Sequence, residues 1–147
     1  MKSMRNLLFH EIHQKSRLSI KEVNEALKEF DLYSSQWSIL FCLNQFGSMT
    51  QKEIWQYLNV EAPTVTRTIV RLEKSGWIAR REGKDKRERI VQLSSFAEQK
   101  LPDIEERIRQ TEASLVSSLT DEEKEQLLVL LKKIGITGSE EKDVRNG

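Results

Sequence analysis

The chain has 147 residues, of which 37% are hydrophobic and 32% are charged, a composition typical of one helix-rich globular domain with its own core. No apolar run is long enough to predict a membrane span, and the residues after Met1 lack the apolar core of a signal peptide, so we expect a cytoplasmic protein without a membrane partner. The single cysteine, Cys42, excludes an internal disulfide, and its apolar neighbours predict a buried structural thiol.

Positive charge is concentrated in one segment of a chain whose net charge is only +1. Residues 67–89 contain nine cationic and four anionic side chains, so this segment carries +5 and the remainder carries −4. A basic segment on an acidic body is a local electrostatic footprint of the kind that attracts phosphate groups. Charge alone is equally compatible with a solvated surface, so the interpretation depends on the elements that carry these cations.

Two helices are predicted at the beginning of the chain. The first covers residues 4–30, with an apolar stripe at helical spacing along its later half. The second begins at Ser34 or Ser35, either of which can cap it, and ends at Gly47.

A helix-turn-helix is predicted next. Thr50 and Glu53 form a capping box that begins a third helix. The short turn 59–61 separates it from a fourth helix over residues 62–75, which Gly76 ends. Two helices joined by so short a turn make the motif whose second helix enters the DNA major groove.

The fourth helix has two opposite faces. The apolar face is formed by Ala62, Val65, Ile69 and Leu72, and the opposite face by Thr64, Arg67, Arg71 and Lys74. An arginine fork such as that of Arg67 can pair with guanine, and a threonine can meet a thymine methyl group. Arg71 and Lys74 lie further along the helix and are expected to meet phosphates. Considered alone, this two-faced pattern is also typical of an ordinary amphipathic surface helix.

A charged β-hairpin is predicted after this helix. Its strands cover residues 77–82 and 89–93, and its tip is Lys84-Asp85-Lys86-Arg87. An arginine on a narrow hairpin can reach the minor groove, where the negative potential is strongest. We expect the Asp85 carboxylate to hold the Arg87 guanidinium by a charge-assisted hydrogen bond and to aim it. A solvated turn with incidental charges is the alternative.

Two further helices and a tail complete the chain. Ser95 and Glu98 form a capping box for a fifth helix, and Pro102 either kinks this helix or marks its true start. Thr120 caps a sixth, leucine-dense helix, and residues 136–147 are expected to be a flexible tail. The outer helices carry more apolar surface than the hairpin region can cover, so we expect a two-fold homodimer. The alternative is that these helices fold back on their own chain.

The central part of the chain resembles the multiple-antibiotic-resistance-regulator (MarR) family. The similarity covers residues 34–97, and its motifs are Thr50–Glu53–Ile54, Pro63-Thr64-Val65-Thr66-Arg67, Leu72-Glu73, Gly76-Trp77-Ile78, Asp85-Lys86-Arg87 and Val91-Gln92-Leu93-Ser94. The resemblance implies a mainly α fold with a small β-hairpin wing, in which a winged helix-turn-helix core at 34–94 adjoins helical dimerisation regions at 1–33 and 95–135. It implies an obligate homodimer that regulates transcription, either as a repressor or as an activator.

The resemblance also implies a DNA-binding site made of two elements. The recognition helix would contribute Pro63, Thr64, Thr66, Arg67, Arg71 and Lys74, and the wing would contribute Lys84, Asp85, Lys86 and Arg87. Members of the family often bind small aromatic or anionic effectors near the junction of their two parts. A candidate effector pocket consists of His10, His13, Arg17, Trp37 and Phe41.

Other kinds of site find little support in the sequence. The two histidines, with one cysteine, are too few to make a zinc site, so no metal or other cofactor is expected. No glycine-rich phosphate loop and no nucleophile with a base and an orienting group is present, which argues against an enzyme. The sequence therefore predicts a DNA-binding transcriptional regulator, with a winged-helix protein-interaction module that does not read DNA as the alternative.

Overall fold

The structure, a computed structural model, describes the backbone of residues 4–136 and the side chains from Leu7 onward. Its elements in chain order are α1 (Met4–Leu27), a 3-10 turn (Lys28–Phe30), α2 (Ser34–Phe46), β1 (Met49–Thr50), α3 (Gln51–Leu58), α4 (Ala62–Lys74), β2 (Ile78–Glu82), β3 (Arg89–Leu93), α5 (Ser95–Leu115) and α6 (Asp121–Lys133). The predicted fold class, mainly helical with a small β-hairpin wing, is confirmed. Apart from Ile136, the predicted tail 136–147 lies outside the described residues.

The chain divides into two compact units, residues 1–111 and residues 112–147. The first unit contains α1 to α4, the sheet and most of α5. The second contains the end of α5 and all of α6. Within residues 4–136, no helix combines the length and the apolar character that crossing a membrane requires.

The beginning of α2 differs from the prediction. Tyr33 occupies the N-cap position, and its N–H donates to Gln36 Oε1 at 2.9 Å. Neither Ser34 nor Ser35 caps the helix, because both already lie in its first turn. The N–H of Ser34 instead donates to Asn24 Oδ1 at 2.7 Å, which joins the start of α2 to α1.

One of the two predicted capping boxes is confirmed, and so is the predicted cap at Thr120. At the start of α3, Glu53 N–H donates to Thr50 Oγ1 at 3.1 Å while Thr50 N–H donates to Glu53 Oε1 at 2.9 Å. Thr120 forms the same reciprocal pair at the start of α6. The box predicted at Ser95 is wrong, because Ser94 caps α5 by accepting the Ala97 N–H at 3.1 Å.

Pro102 lies inside α5 and does not mark its start, which is at Ser95. The alternative start that the sequence left open is therefore wrong. The cap at Ser94 explains where the helix begins, because this residue is held at its position by the end of the preceding strand. Its hydroxyl lies 2.6 Å from the Gly76 carbonyl oxygen, so the same side chain connects α5 to the turn after α4.

The sheet has three antiparallel strands in the order β1-β3-β2. β2 and β3 pair from Ile78↔Leu93 at one end to Glu82↔Arg89 at the tip. The predicted first strand was one residue too long, because the N–H of Trp77 donates to the Leu72 carbonyl oxygen at 2.9 Å and closes the end of α4. The sequence did not predict β1, since two residues are too few to show a strand's alternation.

The core of the first unit lies beneath α4. Val65, Ile69 and Leu72 of this helix are buried, in agreement with the predicted apolar face, and they belong to one cluster with Ile54 and Val91. Burying such a side chain stabilises the fold by about 1.5–3 kcal/mol each. Cys42 lies in the same cluster, where burial raises the pKa of its thiol, so the predicted burial of this thiol is confirmed.

Candidate nucleic-acid interface

The side of α4 opposite the core is exposed to solvent. This basic face consists of Thr64, Arg67, Arg71 and Lys74, and Pro63 and Thr66 beside it are also exposed. The helix has its apolar stripe fixed in the core, so its rotation about its own axis is set by burial. The hydroxyl and the three cations therefore project together from one surface.

Hydrogen bonds within α4 order the side chains at its N-terminal end. Arg67 Nη2 donates to Thr64 Oγ1 at 3.3 Å, so the guanidinium points back along the helix towards its first turn. The hydroxyls of Thr66 and Thr68 donate to carbonyl oxygens four residues earlier, each at 3.0 Å. The first two turns thus present an arginine fork next to a threonine hydroxyl, an arrangement suited to the edges of base pairs.

The wing consists of β2, β3 and the loop 83–88 between them. Its tip residues Lys84, Asp85, Lys86 and Arg87 are all exposed. Within the loop, Gly83 N–H donates to the Glu88 carbonyl oxygen at 3.2 Å, and Glu88 N–H donates to the Asp85 carbonyl oxygen at 2.9 Å. These backbone bonds make a compact turn that displays three cations at the far end of the hairpin.

Asp85 contacts the backbone of Arg87 and not its guanidinium. Its Oδ1 accepts the Arg87 N–H at 3.1 Å, and among the described residues the two side chains form no ion pair. The expected charge-assisted bond to the guanidinium is therefore corrected. An aspartate readily bonds the backbone N–H two residues ahead in a turn, because that amide is nearer than the end of a long side chain.

Gly83 is required where β2 leaves the sheet. A Cβ atom on this residue would lie 2.9 Å from the Cβ of Glu88, closer than two carbon atoms approach without displacing the backbone. The strand ends are therefore in contact at this point, and a larger residue would spread them. This close approach keeps the hairpin narrow where its strands meet the loop.

Arg80 differs from the other cations of the basic segment because two of its nitrogens donate to one carboxylate of the chain. Its Nε donates to Glu73 Oε2 at 3.1 Å and its Nη2 donates to Glu73 Oε1 at 2.9 Å. These bonds lower the pKa of the Glu73 carboxyl and raise the pKa of Arg80. Nη1 donates to Gln51 Oε1 at 3.4 Å. Sequence reasoning missed this cluster, although a carboxylate and an arginine on either side of Gly76 were a usable signal.

The residues of the predicted effector pocket fall into two groups. His10, His13 and Arg17 are exposed on α1, where His10 and Arg17 each contact the Gln14 side chain. Trp37 is buried in α2 and its ring centroid lies 6.3 Å from that of the exposed Phe41. No hydrogen bond or ring contact joins the two groups in the described part of the chain, so the pocket stays a prediction.

Two helices expose large apolar side chains. On α1 these are Leu7, Leu8, Phe9, Leu18 and Ile20. On α6 they are Leu127, Leu128, Val129, Leu130 and Leu131, followed by Ile134 just after the helix, and none of the residues of α6 is buried. On each helix, neighbouring exposed apolar side chains of this kind are typical of a protein–protein interface.

Comparison with known proteins identifies the chain's relatives. The family model described as the MarR family matches residues 32–88. An uncharacterized HTH-type transcriptional regulator, YwoH of Bacillus subtilis (strain 168), is 56% identical over 118 residues, which are 80% of this chain and 86% of that protein.

Solved structures resemble this chain over nearly its whole length. A mutant MarR from E. coli complexed with operator DNA is 25% identical, covers 92% of this chain and 100% of its own, and gives a TM-score of 0.82. Overoxidized AbfR bound to DNA is 29% identical, covers 89% of this chain and 92% of its own, and gives a TM-score of 0.73. The similarity therefore extends well beyond the helix-turn-helix segment.

Proposed function

The chain belongs to the MarR family of transcriptional regulators, and from this premise we propose that it binds pseudo-palindromic duplex DNA as a homodimer and acts as a repressor. The observation that carries the proposal is the basic face of α4, which is exposed opposite a buried apolar stripe. A convex helical surface with an arginine, hydroxyls and further cations fits the major groove. Structurally similar MarR and AbfR proteins have been solved with DNA, which supports the same partner for this chain.

In this proposal α4 is the recognition helix. Arg67 reads a guanine through its fork, and Pro63, Thr64 and Thr66 lie against base edges and the sugar-phosphate wall near the start of the helix. Arg71 and Lys74, closer to its end, bind phosphates. The arrangement separates the groups that give sequence preference from those that give affinity.

The wing contributes a second contact in the adjacent minor groove. Arg87 enters the groove, while Lys84 and Lys86 lie beside the phosphates on its edges. Asp85 has a structural role, since its carboxylate holds the backbone of the tip. Its own negative charge is unfavourable next to DNA, and the bond to the Arg87 N–H gives a reason for its presence.

A second copy of the chain completes the protein. The winged helix-turn-helix core at 34–94 presents the DNA contacts, and the helical regions at 1–33 and 95–135 supply the dimer interface through the exposed apolar residues of α1 and of α6. Two-fold symmetry then sets the recognition helices about 34 Å apart, one turn of duplex DNA. The proposed place of action is the cytoplasm, and the proposed role is regulatory and not catalytic.

Release from DNA is proposed to follow binding of a small aromatic or anionic ligand. The candidate pocket offers His10, His13 and Arg17 for an anionic group and the Trp37–Phe41 pair for an aromatic ring. Such a ligand would bind between the helices that set the spacing of the two recognition helices. The ligand would reduce the affinity for DNA if it bound more tightly to the dimer whose recognition helices have a spacing that does not fit DNA.

The experiment that tests the function is selection of bound fragments from a random duplex pool with purified protein at a stated salt concentration. We expect enrichment of an inverted repeat whose halves are about one helical turn apart. Recovery of unrelated fragments with no common element would contradict sequence-specific binding.

Replacing Arg67 with alanine is expected to weaken binding to the selected duplex by about 1–3 kcal/mol and to relax sequence preference at one base pair in each half-site. The reason is that the fork pairs with two guanine acceptors at once. Arg67→Lys is the matched control, because it keeps the charge but loses the fork. An equal loss of affinity on every duplex would make Arg67 a phosphate contact.

Replacing Arg87 with alanine is expected to weaken binding by roughly tenfold, or about 1.4 kcal/mol, with the loss concentrated on duplexes that have a narrow minor groove beside each half-site. The wing should keep its shape, because the Asp85 carboxylate binds the backbone at this position and not the side chain. Competition assays with A·T-rich and G·C-rich flanks measure this effect. Unchanged affinity on both kinds of flank would remove Arg87 from the interface.

A further inference from the structure

Four polar side chains connect α3, α4 and β2 in a continuous series. Arg80 of β2 binds Glu73 of α4 through two parallel hydrogen bonds and donates a third to Gln51 of α3. Gln51 Nε2 in turn lies 3.5 Å from Thr66 Oγ1 on α4. The series therefore contacts α4 near both of its ends and the wing at the middle of β2.

We propose that Arg80 is a positioning residue, which fixes the angle between the recognition helix and the wing through Glu73 and Gln51 and does not neutralise a phosphate. The inference rests on the proposed DNA-binding function. Judged by its position in the segment of charge +5, Arg80 would be expected to bind a phosphate like its neighbours.

The pair of Arg80 and Glu73 is the strong part of the series. The carboxylate accepts from Nε and Nη2 together, at 3.1 and 2.9 Å, and this double contact fixes both the distance and the orientation of the two groups. The side chain of Arg80 is only 27% exposed and that of Glu73 is 38% exposed. Two of the donor nitrogens of Arg80 are thus occupied, and its charge is balanced within the protein.

The position of this pair explains its effect. Glu73 and Arg80 lie on either side of the turn at Gly76, whose φ of +84° is the left-handed conformation that ends α4. That turn is the covalent connection between the recognition helix and the wing. A salt bridge across it restrains the wing at this connection.

Gln51 extends the restraint to the start of the recognition helix. The Thr66 hydroxyl donates to the Ala62 carbonyl oxygen at 3.0 Å, which leaves its lone pairs free to accept from Gln51. Both contacts of Gln51 are long, at 3.4 and 3.5 Å, so this residue is a weaker connection than the salt bridge. It still orients one of the hydroxyls on the side of α4 that would face DNA.

The restraint matters because the two DNA contacts must be made at once. Arg67 in one groove and Arg87 in the next lie on separate elements. The affinity that these two contacts give together depends on the fraction of time in which both side chains are positioned to reach their grooves. Loss of the salt bridge should therefore lower affinity without removing any contact to DNA.

The test compares Glu73→Gln, Arg80→Gln and the double variant on the duplex selected by the wild-type protein. Each single variant is expected to bind roughly tenfold more weakly, and the double variant no more weakly than the worse single variant, because all three lose the same contact. The dependence of log K on log salt should keep the wild-type slope. A phosphate contact predicts a different result, since losing Arg80 from both protomers would reduce the slope by about 1.8.

Glu73→Gln gives the sharpest contrast, because the two hypotheses predict opposite signs. Removing a negative charge near DNA should leave binding unchanged or tighter if Arg80 is a phosphate contact, and should weaken it if the pair positions the wing. Arg80→Lys keeps the charge and loses the fork, and it provides a folded variant should Arg80→Gln fail to fold. Positioning predicts weaker binding with Arg80→Lys, whereas a phosphate contact predicts affinity near that of the wild type.

Each outcome can be assigned to one of the two proposals. If the wild-type protein shows no sequence-specific, salt-dependent binding, the proposed function fails. If it binds but Glu73→Gln binds as tightly as the wild type, or Arg80→Gln flattens the salt dependence, the positioning inference fails alone. Melting curves recorded for every variant separate a change in affinity from a loss of folded protein.

Discussion

Raising the salt concentration from about 50 mM to about 200 mM is expected to reduce the affinity for duplex DNA by about 10³- to 10⁵-fold. The reason is that the proposed phosphate contacts, Arg71, Lys74, Lys84 and Lys86, are duplicated in the dimer and together release roughly eight condensed counterions. The net charge of the chain is only +1, so such a dependence would come from the placement of cations and not from their total. Fluorescence anisotropy over a salt series measures it directly.

The salt experiment has a matched pair of variants. Lys74→Gln should reduce the magnitude of the slope by about 1.8, because one phosphate contact is lost from each protomer. Lys21→Gln removes an exposed lysine of α1, remote from the basic face in sequence and not proposed to meet DNA, and it should leave the slope unchanged. A flat slope for the wild-type protein would favour the alternative function, a winged-helix module that binds another protein.

Replacing Leu130 of α6 with glutamate is expected to convert the dimer to monomers and to weaken DNA binding by about 10²- to 10⁴-fold. Leu130 is 58% exposed in the single chain, so its replacement removes little from the protomer's own core. In the proposed dimer the same side chain is buried against the second copy, where an unpaired carboxylate is strongly unfavourable. The loss of affinity follows because each recognition helix would then bind its half-site alone.

Lys132→Glu is the control for this variant, since it places the same carboxylate on the same helix at a position that is already polar. It should remain dimeric and bind DNA nearly as the wild type does. Sedimentation and light scattering give the oligomeric state at the concentrations used for binding. A Leu130→Glu protein that is still dimeric, with unchanged affinity, would show that α6 is not part of the interface.

The sequence predicts the elements of this fold where local chemistry decides them. The box at Thr50 and Glu53 sets the start of α3, and Gly76 sets the end of α4 because few other residues adopt its positive φ. The rotation of α4 follows from its apolar stripe alone, so the exposure of its basic face could be predicted from spacing.

The sequence is less informative about a local structure when residues distant in the chain decide it. Ser94 and Ser95 are equally good caps by type, and only the position of the turn at Gly76 decides for Ser94. The pairing of β1 with β3 depends on a chain reversal that two residues cannot signal.

The candidate site shows the same limit. Arg80 has the residue type and the sequence position of a DNA contact, yet Glu73 takes up its guanidinium across the turn. A charge count treats the two arginines at positions 80 and 81 as equivalent. The fold distinguishes Arg80, which is half-buried and paired with a carboxylate, from Arg81, which is exposed.

The bond between Asp85 and the backbone N–H of Arg87 has a consequence for how such regulators diverge. The shape of the hairpin tip is specified by a carboxylate, a glycine and main-chain atoms, none of which involves the side chain at position 87. A single codon change at that position can therefore alter what the tip touches while the loop keeps its conformation. In the proposed complex, preference for the DNA flanking a half-site is in this way free to drift between related regulators without loss of folding.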